Sequence, residues 1–228
     1  MNWIIANIFW ILLGLATLYN VFWISQYKDQ LRIKGWMAAA LAVTHMLFAV
    51  LLAKILAFME GAPGGMSLYG GHFGLPILFC TVAWLSKRNI ADVCDIFTIP
   101  SIVTVMCARI NCVFSGCCLG TIIPGTDGMR WPTRELELVL YVVLYILLRN
   151  KIGKTKYKGK LYPIYMITYG TFRFVIEWFR ETDNMVGFAH LSHMWSIIAI
   201  VVGCLAIYLI NQKRTNGGKR TTRLNSKS

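Results

Sequence analysis

The chain has 228 residues, 57% of them apolar and only 14% charged, with a mean hydropathy of +0.56. Soluble domains carry about a quarter charged residues, so this balance excludes an ordinary soluble domain and predicts an all-α polytopic membrane protein. The net charge of +13 does not point to nucleic acid, because six basic residues lie in 149–160 and six in 213–227. These short segments flank apolar runs, where Lys and Arg set membrane orientation and touch anionic lipid.

In chain order, apolar runs predict helices over 3–24, 36–58, 67–86, 90–118, 133–148, 161–179 and 188–210. No Lys or Arg precedes the first run and no small-residue cleavage site follows it, so it reads as a retained helix. The third is interrupted by Gly70, Gly71, Gly74 and Pro76, and the fourth carries Pro100. Alternate connections are basic: Lys28, Arg32 and Lys34; Lys87 and Arg88; the 149–160 segment; and the tail. The other set holds only Arg130 and Arg134. That alternation predicts seven crossings, with the N-terminus outside and the C-terminus in the cytoplasm. The expected division is a transmembrane domain over 1–212 and a disordered basic tail over 213–228, lying on anionic lipid.

Lys54, Arg109, Arg173 and Arg180 remain inside the runs, and the expected topology puts all four in the outer half of the membrane. Charges there are costly and usually functional. Tyr169, Arg173, Glu177 and Arg180 share one helical face, so Glu177 can pair with Arg173 one turn away. A structural ion pair with a snorkelling Arg180 is the plain alternative. Arg109 has no acid one turn away on its own helix, which suits a phosphate ligand, since the planar guanidinium binds phosphate oxygens in pairs. The segment 64–72, GGMSLYGGH, opens the third helix at the same depth, where glycines permit close approach and free N–H groups attract anions. Tyr69 and His72 bring acid–base groups to that spot, although a lone interfacial His is ordinary.

The seven cysteines form no regular framework. Cys112, Cys117 and Cys118 lack the spacing of a standard zinc site; inert packing leads, with disulfide or redox chemistry and metal binding as alternatives.

These residues resemble the prolipoprotein diacylglyceryl transferase family. GGMSLYGGHFG at 64–74 is similar to that family's Gly-Gly-Met-Ser-(His/Tyr)-Gly-Gly-Leu segment, with Tyr69 at the His/Tyr position. ARINCVFSGCCLG at 108–120 resembles its Arg-, Asn- and Gly-rich signature, with Arg109, Gly116 and Gly120 matching. Asn111, Cys112, Ser115 and Cys117 replace signature Gly, Asn, Asn and Glu. Pro132, Thr133 and Glu137 resemble a further segment, YGTFRFVIEWFR at 169–180 matches a Tyr-Gly-x-x-Arg-x-x-x-Glu-x-x-Arg pattern, and Lys54 stands where Arg is usual. The likeness runs over about 36–203 and marks a divergent branch.

It implies transfer of a diacylglyceryl group from phosphatidylglycerol to the lipobox cysteine of a prolipoprotein signal peptide, in a bacterial cytoplasmic membrane and without a cofactor. The catalytic residues it suggests are Arg109 and Arg173 on the phosphate, and Tyr69 assisted or replaced by His72 in proton transfer. Lys54, Gly70, Gly71, Gly116, Gly120, Glu137, Tyr169, Glu177 and Arg180 would form the substrate-binding wall. The alternatives are the same donor with another acceptor, or a non-catalytic lipid-binding or transport protein.

Overall fold

The computed structural model describes residues 2–62, 64–181, 185–186 and 189–225. It is a helical bundle of α1 (Asn2–Gln26), the short α2 (Lys28–Leu31), α3 (Gly35–Met59), α4 (Leu68–Leu85), α5 (Ile90–Ser115), α6 (Thr133–Arg149), α7 (Leu161–Ile176) and α8 (Leu191–Asn225). A two-residue hairpin, β1 (Met185–Val186) against β2 (Ala189–His190), precedes α8. Among the described residues five helices are long and apolar enough to cross a membrane: α1, α3, α4, α5 and α8. At about 1.5 Å per residue, α6 and α7, with 17 and 16 residues, reach about 25 Å, short of a hydrocarbon core near 30 Å. The expected domain division at 212/213 falls within α8, and Phe188, in the expected last helix, lies outside the described residues.

The helix α5 is central. Two thirds of its apolar window is buried, against 22% for α1 and α8, and α1, α4, α6 and α7 all pack on it. Large apolar side chains such as Leu18, Phe22, Leu47, Trp84 and Leu209 point outward, as expected where the solvent is lipid.

Both helix-interior prolines are compensated. A proline at position i leaves the carbonyl at i−4 without its N–H donor. Pro76 frees the carbonyl of His72, which accepts from Tyr162 Oη at 2.6 Å. Pro100 frees that of Ile96, which accepts from Trp23 Nε1 at 3.0 Å. Further polar ties cross the core: Asn20 Nδ2 donates to Thr104 Oγ1 at 3.2 Å, and Asp95 accepts from the Leu161 N–H at 3.0 Å.

Glycine sets the spacing of α3 and α4. A Cβ on Gly70 would stand 2.1 Å from the Leu52 carbonyl oxygen, and one on Gly74 would stand 2.1 Å from Leu52 Cδ1. This small-residue row lets the two helices touch through their backbones.

Candidate active site

At the end of the bundle where α3 passes into α4 and α5 terminates, the helices part around a cavity of about 450 Å³. Its walls come from the 60–69 segment, the last turns of α5, the end of α7 and the first turn of α8. A smaller apolar cleft adjoins it, and Met66, Leu68 and Ala108 line both. A cavity edged by charged side chains beside an apolar cleft suits an amphipathic ligand.

Arg109, Glu137, Arg173 and Glu177, each no more than 4% exposed, form one buried network with Arg180. Buried charges must be paired, and here one carboxylate serves two cations. Glu137 Oε2 lies 2.6 Å from Arg109 Nε, and Oε1 accepts from Arg173 Nη1. Arg173 Nη2 lies 2.8 Å from Glu177 Oε2, which also faces Arg180 Nη1 at 3.7 Å. Three arginines against two glutamates leave one positive charge in excess. The closest contact of Arg109 with Glu137 is through Nε, its Nη1 and Nη2 make no hydrogen bond to the described residues, and Arg109 lines the cavity.

Local structure holds these groups in place. Thr133, Glu137, Tyr141, Leu144 and Leu148 form the buried face of α6, spaced four or three residues apart, and this aims Glu137 between α5 and α7. The backbone of Arg180 bridges Gly120, Thr121 N–H donates to the Phe179 carbonyl at 2.9 Å, and Glu181 N–H donates to the Leu119 carbonyl at 3.0 Å. A Cβ on Gly120 would stand 2.2 Å from the Trp131 carbonyl oxygen, so only glycine admits this closure.

Tyr69 lines the cavity. Ser196 Oγ donates to the Ser192 carbonyl at 2.7 Å, so Tyr69 donates its proton to Ser196 at 2.6 Å. Glu60 also lines the cavity and accepts from Ser67 Oγ at 3.1 Å; partial burial raises its carboxyl pKa.

The model of the family described as prolipoprotein diacylglyceryl transferase matches residues 7–209. The chain belongs to this family. It is similar to the phosphatidylglycerol–prolipoprotein diacylglyceryl transferase of Pseudoalteromonas translucida, with 31% identity over 64% of this chain and 60% of that protein. The like-named protein of Mannheimia succiniciproducens is 32% identical over 67% of this chain and 62% of that protein, and that of Shewanella sp. strain MR-4 is 25% identical over 88% and 81%. The match thus spans about three fifths of the length of the first two relatives. The apolar helices and the family together identify a multi-pass membrane protein.

Seen within this family, several residues singled out in the sequence play parts other than those expected. Arg109 is not partnerless: the acid is Glu137, on another helix. Arg173 lines the cavity, but both of its terminal nitrogens are held by carboxylates, which makes it the hub of the network and leaves it no free fork for a phosphate. His72 borders the apolar cleft instead of the polar cavity. Its Nδ1 lies 2.6 Å from the Leu68 carbonyl oxygen, which can only accept, so Nδ1 carries the proton and Nε2 accepts from Tyr165 Oη at 2.6 Å. With both nitrogens engaged and Tyr169 stacked on its ring at 4.3 Å, His72 has no free valence for proton transfer.

Gly70 and Gly71 face α3, and the glycines that reach the cavity are Gly64 and Gly65. Gly116 caps α5 with a left-handed φ of 67°, and Gly120 serves the Arg180 bridge. Lys54 is exposed on α3 and does not line the cavity, whereas Tyr169 and Glu177 do.

Glu60 and His190, whose Nδ1 lies 3.6 Å from Glu177 Oε1, had not been singled out. Glu60 is the one acid between Asp29 and Asp92, which was a usable signal. His190 falls within the run over 188–210 expected to be helical, where a single His carries no signal of its own; the structure places it in β2.

Proposed function

We propose that this chain transfers a diacylglyceryl group from phosphatidylglycerol to the lipobox cysteine thiol of prolipoproteins. The cavity end faces the outer side of a bacterial cytoplasmic membrane, and the basic segments 149–160 and 213–227 lie on anionic lipid at the cytoplasmic face. The observation that carries this reading is the free pair of Arg109 nitrogens, set in a buried network with one positive charge in excess. The phosphodiester of phosphatidylglycerol carries one negative charge and would neutralise it, with its acyl chains in the apolar cleft that shares Met66 and Leu68.

Arg109 binds the phosphate through Nη1 and Nη2, and Arg180 approaches from the rim. As the carbon–oxygen bond breaks, charge gathers on the departing phosphate, and a preorganised guanidinium in a water-poor site stabilises that charge. Glu137 fixes Arg109 and Arg173, and Glu177 fixes Arg173 and Arg180, so little reorganisation remains for the transition state. Glu60, with its raised pKa, accepts the thiol proton, and Tyr69, its own proton committed to Ser196, offers a lone pair toward the cavity.

The test uses purified protein in phosphatidylglycerol vesicles with a lipobox peptide, read by mass spectrometry for diacylglyceryl on the peptide cysteine. Transfer that disappears in Arg109→Ala is expected. Glycerol phosphate released without peptide modification would instead indicate another acceptor. Arg109→Ala with near-normal turnover would remove the phosphate assignment.

A further inference from the structure

The cavity wall carries a feature that phosphate binding does not use. The sulfur atoms of Cys112, Cys117 and Cys118 lie within 4.8 Å of one another, with Cys112 and Cys118 Sγ 4.0 Å apart, and all three residues line the cavity. Tetrahedral zinc with bonds of about 2.3 Å sets its sulfurs about 3.8 Å apart, so the cluster is within an ångström of a metal-binding triangle. A disulfide would need about 2.05 Å, and joining any two thiols would strand the third.

Backbone strain brings the thiols together. Gly116 turns left-handed at φ 67° to end α5, and Cys118 follows with φ 60°. A left-handed non-glycine residue outside Asn or Asp is uncommon and costs about 1 kcal/mol or more, and such strain gathers at functional sites. The turn is then braced from α6: Thr133 Oγ1 donates to the Cys118 carbonyl at 3.2 Å and Arg134 Nη1 to that of Cys112 at 3.4 Å.

We propose that Cys112, Cys117 and Cys118 bind a thiophilic divalent ion of the zinc class, whose open fourth position, facing the cavity, takes the acceptor thiol as thiolate. The fourth-position role rests on the transfer reading above; the metal site does not. An acceptor thiol entering that position loses its proton to Glu60 or water. Its sulfur then forms a bond to the glyceryl carbon of phosphatidylglycerol while the bond from that carbon to the phosphate oxygen breaks. The electron pair leaves with glycerol phosphate, beside Arg109. The thioether product is neutral and a weak ligand, so it departs and water returns. No electron is gained or lost overall.

The experiment uses the full-length protein, purified in detergent without a histidine tag. One zinc per chain by mass spectrometry of the elements is expected, lost on Cys112→Ser, Cys117→Ser or Cys118→Ser and kept on Cys80→Ser and Cys204→Ser. Should the serine variants fail to fold, cobalt added to wild-type protein gives the same answer: a thiolate-to-cobalt charge-transfer band with strong tetrahedral d–d absorption, displaced by zinc. A lipobox peptide with cysteine should then shift the cobalt spectrum, and its serine counterpart should not. Absence of both stoichiometric metal and the cobalt band overturns the site, as does a stable disulfide among the three in active protein. A cobalt spectrum blind to the cysteine peptide, in protein that performs transfer, overturns the fourth-position role. Metal bound and thiol-responsive in protein that performs no transfer upholds the site and sinks the transferase reading instead.

Discussion

Glu137→Gln tests whether the buried network, and not net positive charge alone, prepares the site. Glu137 is 1% exposed and holds Arg109 at 2.6 Å and Arg173 through its other oxygen. Glutamine keeps the shape but carries one acceptor oxygen, so it can satisfy one arginine and must turn an NH₂ toward the other. The network's excess charge rises from one to two. Removing one partner of a buried ion pair costs about 3–5 kcal/mol, and the residual hydrogen bond places this substitution near the lower end. At about 1.4 kcal/mol per factor of ten, turnover falls roughly 100-fold if the loss appears as misplacement of Arg109. Initial rates of peptide modification in phosphatidylglycerol vesicles measure this, with a fluorescence melt in detergent to confirm cooperative folding. Extra positive charge alone would improve attraction of an anionic lipid, so the two ideas differ in sign. Turnover within threefold of wild type, or above it, would refute the claim that Glu137 positions Arg109.

Three further perturbations probe other links. Gly70→Ala should abolish activity and folded yield, since its Cβ would meet the Leu52 carbonyl oxygen at 2.1 Å, whereas Gly71→Ala, with its nearest atom at 3.6 Å, should be close to neutral in size-exclusion profile and rate. Glu60 must be ionised to act as a base and its pKa is raised above 4.5, so the rate should fall on the acid side above pH 4.5; Glu60→Gln should lower the rate and flatten that limb in a pH–rate profile. Tyr162→Phe leaves the His72 carbonyl unsatisfied and should cost about 1–3 kcal/mol in detergent or urea unfolding. Restoring the missing N–H with Pro76→Ala in the same chain should recover much of that loss, and additive costs in the double variant would contradict the compensation.

The helical plan was legible because hydropathy and loop charge are local properties, each readable in a window of some twenty residues. The pairing of Arg173 with Glu177 was legible for the same reason, as neighbours one turn apart on one helix. What escaped were contacts between helices. Arg109 finds Glu137 across α5 and α6, His72 is silenced by Leu68 and by Tyr165 of α7, and Gly70 is spent on α3. No sequence period encodes such meetings. Glu137 was nonetheless within reach, since it repeats with Tyr141, Leu144 and Leu148 on one face of α6, a polar residue in line with a buried stripe.

The two long helices that fall short of a membrane span by length are also the two that carry Glu137 and Arg173. These facts are linked. A buried carboxylate and guanidinium lower the apolar character of α6 and α7, and such groups are tolerable only where neighbouring helices supply every partner. Here they do so: α5 brings Arg109 to Glu137, α6 brings Glu137 to Arg173 of α7, and Glu177 closes the set. Large apolar side chains face outward on α1, α3, α4 and α8, and on the far side of α6 as well, where Val139, Val142, Val143 and Ile146 are exposed. A chain built this way sets its two shortest bundle helices against the central α5 at the reaction site, so a short membrane signal beside strong ones becomes a pointer to chemistry.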